Sequence, residues 1–469
     1  MAERETESAS WGTPREMNEL EATMWRAGKH PESSTQGAVM EVFDGTPDWS
    51  DVRQLHVDGL QTYTRFRQRV VEPALPVGPP AWVDDEDFDL DNHLSRVRLA
   101  APGTTRQLLD LARDLAMIEL DRTRPPWTAT FIEGLEGGGS AYVIVIHHSL
   151  MDGHGSVQLL SDLHSRSRSD APGQAEFRRT SRTDPLRLAV DQTVSRALGV
   201  PKFAGRAVSG AISAVRRGPL EAARFVSSAG RVAMPPVSDA AELLKGGFRA
   251  RWRFEVMDCS LVDLKAAGKA AGGTINDAYI AGIIGGLRIY HEKHGKAIGD
   301  ITINMPVSMR EAGDPQGGNK FVTAFLQAPS SVADPAQRIA RLREIVSKHS
   351  AEPALDMFGV LLPVMNRAPS AILAPLFNNL QTRTDLTISN VPGMKSQVKF
   401  AGSAVTGIYY LAPLPGCAVM SVLFSYNGVC NIGLNCDEEL FGTSGELLEC
   451  LQAGMDEVLD LRHNAEPKA

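Results

Sequence analysis

A run of apolar residues that ends in two histidines and a glycine turn constrains this chain more than any other feature. Residues 142–146 read Tyr-Val-Ile-Val-Ile, and His147, His148, Asp152 and Gly153 follow. The β-branched run predicts a buried strand and is too short to cross a membrane. Glycine supplies the backbone angles of a tight turn, and apolar residues recur at helical spacing after it. The histidine pair therefore stands where a strand leads through a turn into a helix.

The two histidines are expected to do different things. Neighbouring side chains of a strand point to opposite faces, so His147 and His148 cannot readily share one metal ion or one substrate. We expect one to face a reaction site and the other to face packing, with Asp152 returning beside the strand end. A neutral imidazole titrates near ~6.5 and can act as a base at cellular pH. The alternative is a pair of packed histidines that closes a core strand and carries no chemistry.

Length and composition bound the class of protein. The 469 residues exceed one ordinary core, which predicts two domains, and the content of 43% apolar and 22% charged residues is typical of soluble globular proteins. The net charge of −8 argues against a nucleic-acid partner. Residues 1–10 lack the apolar core of a signal peptide, so we expect a cytoplasmic protein. The five cysteines lack CxxC spacing, which predicts reduced thiols and no metal site.

The charge is unevenly distributed. Residues 177–254 contain 15 lysines and arginines against 5 aspartates and glutamates. We interpret 176–250 as a basic helical linker between an N-terminal domain at 16–175 and a C-terminal domain at 251–469, after a disordered N-terminus at 1–15. A basic segment in an acidic protein indicates contact with an anionic phospholipid surface, or it is only a solvated basic face.

Local signals give strands and helices in both halves, so the fold class is α/β or α+β. Thr104 with Gln107 and Thr274 with Asp277 have the spacing of capping boxes at helix starts, and Thr443 with Glu446 predicts a third. Asn427-Gly428 between two apolar runs predicts a β-hairpin. Residues 354–380 are interpreted as an apolar helical hairpin broken by prolines.

The motifs, taken together, resemble a known family. His-His-x-x-x-Asp-Gly at 147–153 is similar to the coenzyme-A-dependent acyltransferases, which include chloramphenicol acetyltransferase and peptide-synthetase condensation domains. Arg-Pro-Pro-Trp at 124–127, Thr-Ile-Asn-Asp at 274–277, Pro-Val-Ser-Met-Arg at 306–310 and Ser-Asn-Val-Pro-Gly at 389–393 follow in order. This set resembles the bacterial wax ester synthase/acyl-CoA:diacylglycerol acyltransferase family over roughly residues 15–460.

The resemblance implies a fold and a reaction. Two chloramphenicol-acetyltransferase-like domains would enclose an active-site tunnel, in which His148 removes a proton from the acceptor hydroxyl. Acyl-CoA would be a co-substrate, diacylglycerol or a long-chain alcohol the acceptor, and no cofactor or metal would be bound permanently. No serine or cysteine nucleophile accompanies the motif, so no acyl-enzyme is expected. The protein would lie peripherally on the inner face of the membrane or on lipid droplets.

The resemblance also assigns roles beyond His148, each with a structural alternative. His147 and Asp152 complete the catalytic group as supporting residues, and by resemblance Asp152 pairs with an arginine, for which Arg310 is the candidate. Trp127 is expected in the core. The resemblance gives a substrate-binding role to Gly153, Asn276, Asp277, Asn390, Pro392 and Gly393. For residues 276–277 a helix start, and for residues 390–393 a simple turn, is the structural alternative.

Departures from the family pattern leave the acceptor open. Pro-Pro-Trp stands at 125–127 where the family usually has Pro-Leu-Trp, and Gly393 is followed by Met394 where Pro-Gly-Pro is usual. Two other functions fit the fold that the motifs imply. One is a condensation-type acyltransferase that takes its acyl group from a carrier protein, and the other is a non-catalytic protein of the lipid-droplet surface.

Overall fold

The computed structural model describes residues 15–29, 34–74, 78–165, 185–197, 244, 251–308, 319, 321–350, 384–414 and 416–465. The strands in these ranges are β1 Gln36–Phe43, β2 Gln68–Val71, β3 Ala81–Asp84, β4 Leu94–Arg98, β5 Trp127–Glu133, β6 Ser140–His147, β7 Trp252–Ser260, β8 Ile301–Ser308, β9 Phe321–Ala328, β10 Leu386–Val391, β11 Lys399–Phe400, β12 Ser403–Leu411, β13 Val419–Tyr426 and β14 Val429–Asp437. The helices are α1 Glu19–Ala27, α2 Trp49–Thr62, α3 Thr105–Met117, α4 Gly153–Ser165, α5 Pro185–Ala197, α6 Leu261–Ala270, α7 Ile275–Lys293, α8 Pro335–Ser350, α9 Glu438–Phe441 and α10 Glu446–Leu459.

Two mixed six-stranded sheets form the centre of the molecule. The first has the order β11-β12-β1-β6-β5-β4, and the second has the order β7-β14-β13-β10-β8-β9. In the first sheet only β4 and β5 run parallel, and in the second β10 runs parallel to both β13 and β8. Strands and helices mix in both halves, which confirms the predicted class. The predicted strand at 142–146 is β6, and β1 and β5 cover both of its edges.

The second half of the chain also contributes to the first sheet. Strand β12 pairs antiparallel with β1, from Ala38 opposite Leu411 to Phe43 opposite Val405. Between the halves, Arg106 of α3 donates to the carbonyl of Phe254 at 3.0 Å. The two halves are therefore joined by a strand that the second half contributes to the first sheet, although the division of the chain near residue 251 itself stays a prediction.

Glycines bring two helices of the second half into backbone contact. A Cβ on Gly454 of α10 would lie 2.1 Å from the amide nitrogen of Gly286 in α7, and a Cβ on Gly286 would lie 2.4 Å from the Cα of Leu451. A real Cβ does not approach other atoms so closely, so only glycine permits this packing. Helix α7 is surrounded by the core, since every residue from 277 to 288 is buried.

Most of the local predictions are confirmed. Thr104 with Gln107 and Thr274 with Asp277 form capping boxes at α3 and α7. The β13–β14 hairpin turns at Asn427-Gly428, where both residues have positive φ. The predicted cap at Thr443 is wrong. Gly445, with φ of 81°, is the N-cap of α10 and makes no side-chain cap bond. Glu446 is the first helical residue and pairs with Lys293 at 2.8 Å, so it is not available to close a capping box.

Several predictions fall wholly or partly outside the described residues. These are the disordered N-terminus, the hairpin at 354–380, residue Arg310 and most of the linker at 176–250, of which α5 is described. Within the described ranges, every helix is too short or too polar to span a bilayer. All five cysteines are free, and all five are buried.

Candidate active site

The two histidines at the end of β6 face opposite sides, as the strand period predicts. His147 is 4% exposed and packs edge-on against Trp25, with ring centroids 5.0 Å apart. Its ring nitrogens lie 3.2 Å from Thr35 Oγ1 and 2.8 Å from Ser149 Oγ. Burial holds the pKa of His147 well below its usual value, and the Arg122 charge adds to the effect. His147 is therefore a neutral, packed side chain.

His148 is half-buried, and its ring is held by Asn319. His148 Nδ1 lies 2.9 Å from Asn319 Oδ1, and Asn319 Nδ2 donates to the His148 carbonyl at 2.8 Å. Because the amide nitrogen is engaged by that carbonyl, the amide oxygen must face the ring. An amide oxygen only accepts, so Nδ1 carries the proton of the neutral imidazole. This arrangement leaves the lone pair on Nε2, which is the atom that a general base needs.

Asn319 is held in turn by the first helix. Its backbone N–H donates to Glu21 Oε1 at 2.9 Å, and its carbonyl accepts from Asn18 Nδ2 at 2.8 Å. Asn18 and Glu21 are themselves the capping box of α1. Burial raises the pKa of Glu21, against the opposing effect of these backbone hydrogen bonds. Sequence reasoning missed Asn319. It stands in Gly-Gly-Asn-Lys at 317–320, a pattern that reads only as a turn.

His148 opens onto a cavity that both halves of the chain line. The cavity encloses about 1000 Å³, including its open mouth. The Phe321 ring, from the second half, stands at 62° to the His148 ring with centroids 5.7 Å apart. Most of the residues that line the cavity are apolar, as is usual for sites that bind small molecules. The lining residues are Gly37, Ala38, Val39, Ile146, His148, Met151, Asp152, Gly153, Ser156, Pro306, Phe321, Ser389, Asn390, Val391, Tyr410, Leu411, Ala412, Pro413, Met420 and Val422.

Asp152 lies at the start of α4. Its Oδ1 accepts from the backbone N–H of Gly155 at 2.9 Å, and its carbonyl accepts from Ser156 N at 3.0 Å. These are the contacts of a helix N-cap, and they fix the turn directly after His148. Arg310 is outside the described residues, so its pairing with Asp152 stays a prediction.

Gly153 allows the two halves to approach each other beside His148. A Cβ at this position would lie 2.9 Å from Cγ2 of Val391, the last residue of β10. Both residues line the cavity. The glycine of the motif therefore has a steric reason in this fold, independent of any contact with substrate.

The remaining predicted residues are distributed unevenly. Asn390 lines the cavity, but Pro392 and Gly393 of the same motif do not: Pro392 is exposed, and Gly393 packs where a Cβ would meet the Ser425 carbonyl at 2.3 Å. Asn276 Nδ2 lies 3.5 Å from Met305 Sδ, and Asp277 is fully buried as the cap partner of Thr274. Neither lines the cavity, so their substrate-binding role stays a prediction.

Trp127 is in the core, as expected. It is 2% exposed, and its indole N–H donates to the Phe66 carbonyl at 2.7 Å. The same ring stacks on His93 with centroids 4.8 Å apart. It supports the strand beside β6 and does not reach the cavity that contains His148.

The described cavity wall offers few groups for covalent or metal chemistry. Its lining contains no cysteine, and the Ser156 hydroxyl donates to the Gly153 carbonyl and lies 2.7 Å from the Tyr410 hydroxyl. In the described part of the chain, no group of three or more His, Cys, Asp or Glu is placed to hold a metal ion. The arrangement around His148 is suited to proton transfer.

Comparisons with known proteins agree with this geometry. Residues 16–279 match the family model described as the wax ester synthase/diacylglycerol acyltransferase catalytic domain, and residues 317–458 match the C-terminal domain model of the same family. A putative diacylglycerol O-acyltransferase of Mycobacterium tuberculosis (strain ATCC 25618 / H37Rv) is 34% identical, over 97% of this chain and 93% of its own length. A probable diacylglycerol O-acyltransferase of the same strain is 28% identical over 88% of both chains.

Solved structures show the same fold. The wax ester synthase/diacylglycerol acyltransferase of Marinobacter aquaeolei VT8 matches with a TM-score of 0.61 and 20% identity, over 96% of this chain and all of that one. The first condensation domain of the calcium-dependent antibiotic synthetase matches with a TM-score of 0.60 and 15% identity, over 97% and 98%. These matches confirm the predicted two-domain architecture.

Proposed function

This chain belongs to the wax ester synthase/diacylglycerol acyltransferase family and is an acyltransferase, and from that premise we propose that it transfers a long-chain acyl group from acyl-CoA to a lipid hydroxyl. The acceptor is diacylglycerol, the substrate in the names of its relatives, or a long-chain alcohol. Acyl-CoA enters as a co-substrate. One observation carries the proposal: Asn319 sets the tautomer of His148 that has its lone pair on Nε2, at a largely apolar cavity that both halves line.

The reaction needs a single proton relay at His148 Nε2. That nitrogen takes the proton of the acceptor hydroxyl as its oxygen attacks the thioester carbonyl carbon. The tetrahedral intermediate then expels the CoA sulfur, which takes the proton back from the imidazolium. A general base typically contributes about 10²–10⁴ in rate. Residues His147 and Asp152 act through position, because His147 packs against Trp25 at the end of β6 and Asp152 caps the helix that follows His148.

The oxyanion of the intermediate needs a fixed donor, and Asn390 is our candidate. Its side chain lines the cavity at the end of β10, beside Val391. A carboxamide donor placed at a developing oxyanion is worth about 10²–10³ in kcat. Ser389 also lines the cavity, so replacement of Ser389 is the control for replacement of Asn390.

The test compares purified His148→Ala with the native protein. Palmitoyl-CoA is supplied with diacylglycerol and with hexadecanol in parallel, and free thiol and product lipid are both followed. We expect a loss of about 10²–10⁴ in kcat for both acceptors. The control variant is His294→Ala. His294 lies 3.7 Å from Glu446 and does not line the cavity, so this variant should retain full activity. Ester formation by His148→Ala at the native rate would refute the role of His148 as the base. If the native protein turned over acyl-CoA only when a carrier protein was present, the proposal that acyl-CoA is the acyl donor would be refuted.

We further propose that the protein works at an anionic phospholipid surface, at the membrane or on lipid droplets. Supporting this, Leu186 and Val190 of α5 are 64% and 59% exposed, and they lie one helical turn apart in the basic segment. Replacement of both by aspartate should reduce co-sedimentation with phosphatidylglycerol vesicles severalfold and leave turnover of detergent-dispersed substrate unchanged. Equal binding of the variant would refute the role of α5.

A further inference from the structure

A second cavity lies in the first half, directly behind the one that contains His148. It encloses about 680 Å³, and we call it the inner cavity. Val39, Met151 and Ser156 line both cavities, so the two cavities adjoin at these residues. The lining residues of the inner cavity are Val39, Glu41, Leu55, His56, Gly59, Leu60, Tyr63, Phe66, Trp127, Tyr142, Ile144, Met151, Ser156, Leu159, Leu160, Leu163, His164 and Phe400.

One face of β6 runs along both cavities. Alternate residues of a strand share a face, and Tyr142 and Ile144 line the inner cavity while Ile146 and His148 line the outer one. Glu41 of β1 pairs directly opposite Tyr142. At about 3.3 Å per residue, Glu41 is roughly 20 Å of strand away from His148. That span is comparable with the extended length of a long acyl chain.

The far end of this path is polar, although its walls are apolar. Glu41 is 1% exposed, and its Oε2 lies 2.8 Å from His164 Nε2. His56 Nδ1 bonds to the Val52 carbonyl at 2.8 Å, so its Nε2 accepts from the Tyr142 hydroxyl at 2.7 Å. Burial lowers the pKa of His164, but the Glu41 carboxylate and the hydrogen bond to the Leu160 carbonyl raise it, and the net shift is upward.

One acceptor in this cluster is left over. Among the described residues, Glu41 Oε1 is buried and has no hydrogen-bond partner. A buried carboxylate oxygen without a donor is costly, and such groups in native proteins are almost always satisfied. The donors that the cluster supplies are already used, since the Tyr142 hydroxyl serves His56. A ligand that brings its own donor would complete the site.

We propose that the inner cavity binds an acyl chain that carries a hydroxyl group near its far end, and that this hydroxyl donates to Glu41 Oε1. The inference rests on the proposed function, because the chain belongs to the acyl-CoA whose thioester lies at His148. Apolar walls hold the methylene chain, and the single unfilled acceptor selects the hydroxylated chain over the plain one. Glu41 is thus a specificity residue and takes no part in the chemical step.

The experiment compares 16-hydroxypalmitoyl-CoA with palmitoyl-CoA, using the native full chain, diacylglycerol as acceptor and thiol release as the signal. We expect kcat/KM to favour the hydroxylated donor about tenfold, as one hydrogen bond to a charged group allows. The preference should be in KM, with kcat nearly equal. Glu41→Gln should reduce it to below about threefold, because a neutral amide oxygen accepts a weaker hydrogen bond than a carboxylate does.

Glu133→Gln is the matched control, since Glu133 is also a buried strand glutamate but pairs with Arg96 and Arg98 away from both cavities. It should keep the tenfold preference. A native enzyme that uses both donors equally, or prefers palmitoyl-CoA, overturns the inference and leaves the transferase proposal standing; this result needs no variant to fold. A preference that survives Glu41→Gln overturns the assignment to Glu41. Turnover of neither donor overturns the proposed function itself.

Discussion

Removal of the Asn319 side chain should impair catalysis without removing the base. Asn319→Ala deletes two hydrogen bonds, from His148 Nδ1–H to Oδ1 and from Nδ2 to the His148 carbonyl. Each neutral hydrogen bond is worth about 0.5–1.5 kcal/mol, so roughly 1–3 kcal/mol of ring positioning is lost. At 1.4 kcal/mol per factor of ten, kcat should fall about 5- to 150-fold. KM should change little, because Asn319 does not line the cavity.

Asn319→Asp separates positioning from a merely structural role. The carboxylate still accepts from Nδ1 but cannot donate to the His148 carbonyl, and its negative charge stabilises the imidazolium. Because a protonated imidazole cannot act as a base, the pH below which kcat/KM falls should move upward relative to the native enzyme. Asn319→Ala should lower the whole profile without that displacement.

Asn431→Ala is a matched control for lost stability. The Asn431 side chain is also buried and makes two hydrogen bonds, donating to Asp258 Oδ1 at 2.7 Å and accepting from Ile408 N at 3.2 Å. It should destabilise the fold comparably in thermal unfolding while kcat per folded enzyme stays near native. If Asn319→Ala retained native kcat and pH profile, the argument that this amide sets the tautomer of His148 would fail.

Three further predictions follow from packing and titration. Gly153→Ala should lower the free energy of unfolding by about 1–3 kcal/mol and reduce kcat, because the added Cβ would lie 2.9 Å from Val391. Val391→Ala in the same chain should restore activity, and failure of this rescue would rule out the steric explanation. Gly454→Ala should destabilise by at least about 1–3 kcal/mol in urea unfolding, since the clash with Gly286 outweighs the gain of about 0.5–1 kcal/mol in helix propensity; an unchanged midpoint would contradict the close approach. Burial lowers the pKa of His56 to about 4, so below pH 6.5 the unfolded chain binds a proton that the folded chain does not, and stability should fall by up to about 3 kcal/mol between pH 6.5 and 4. His56→Gln should flatten that part of the stability curve, and an equal slope in both proteins would refute the assignment.

Predictions of the local structure around the candidate site were confirmed where the information was contiguous in the sequence. The apolar strand before His148, the turn glycines and the following helix are contiguous in the sequence. Because neighbouring side chains of a strand point to opposite faces, the sequence already predicted that His147 and His148 face opposite sides. The caps at Thr104 and Thr274 lie within four residues of their partners. The failed cap at Thr443 shows the limit, because Glu446 pairs with Lys293, more than 150 residues earlier in the chain.

The sequence by itself determined most of the elements, the opposite orientations of His147 and His148, and the family to which the chain belongs. Only the tertiary structure placed Asn319, 171 residues from His148, against its ring, and only the pairing of β12 with β1 joined the halves around the cavity. The unfilled Glu41 oxygen likewise depends on helices that pack over β1 from elsewhere in the chain. The physical reason is that backbone hydrogen bonding and hydrophobic period act over a few residues, whereas side-chain partners are chosen by how distant elements pack.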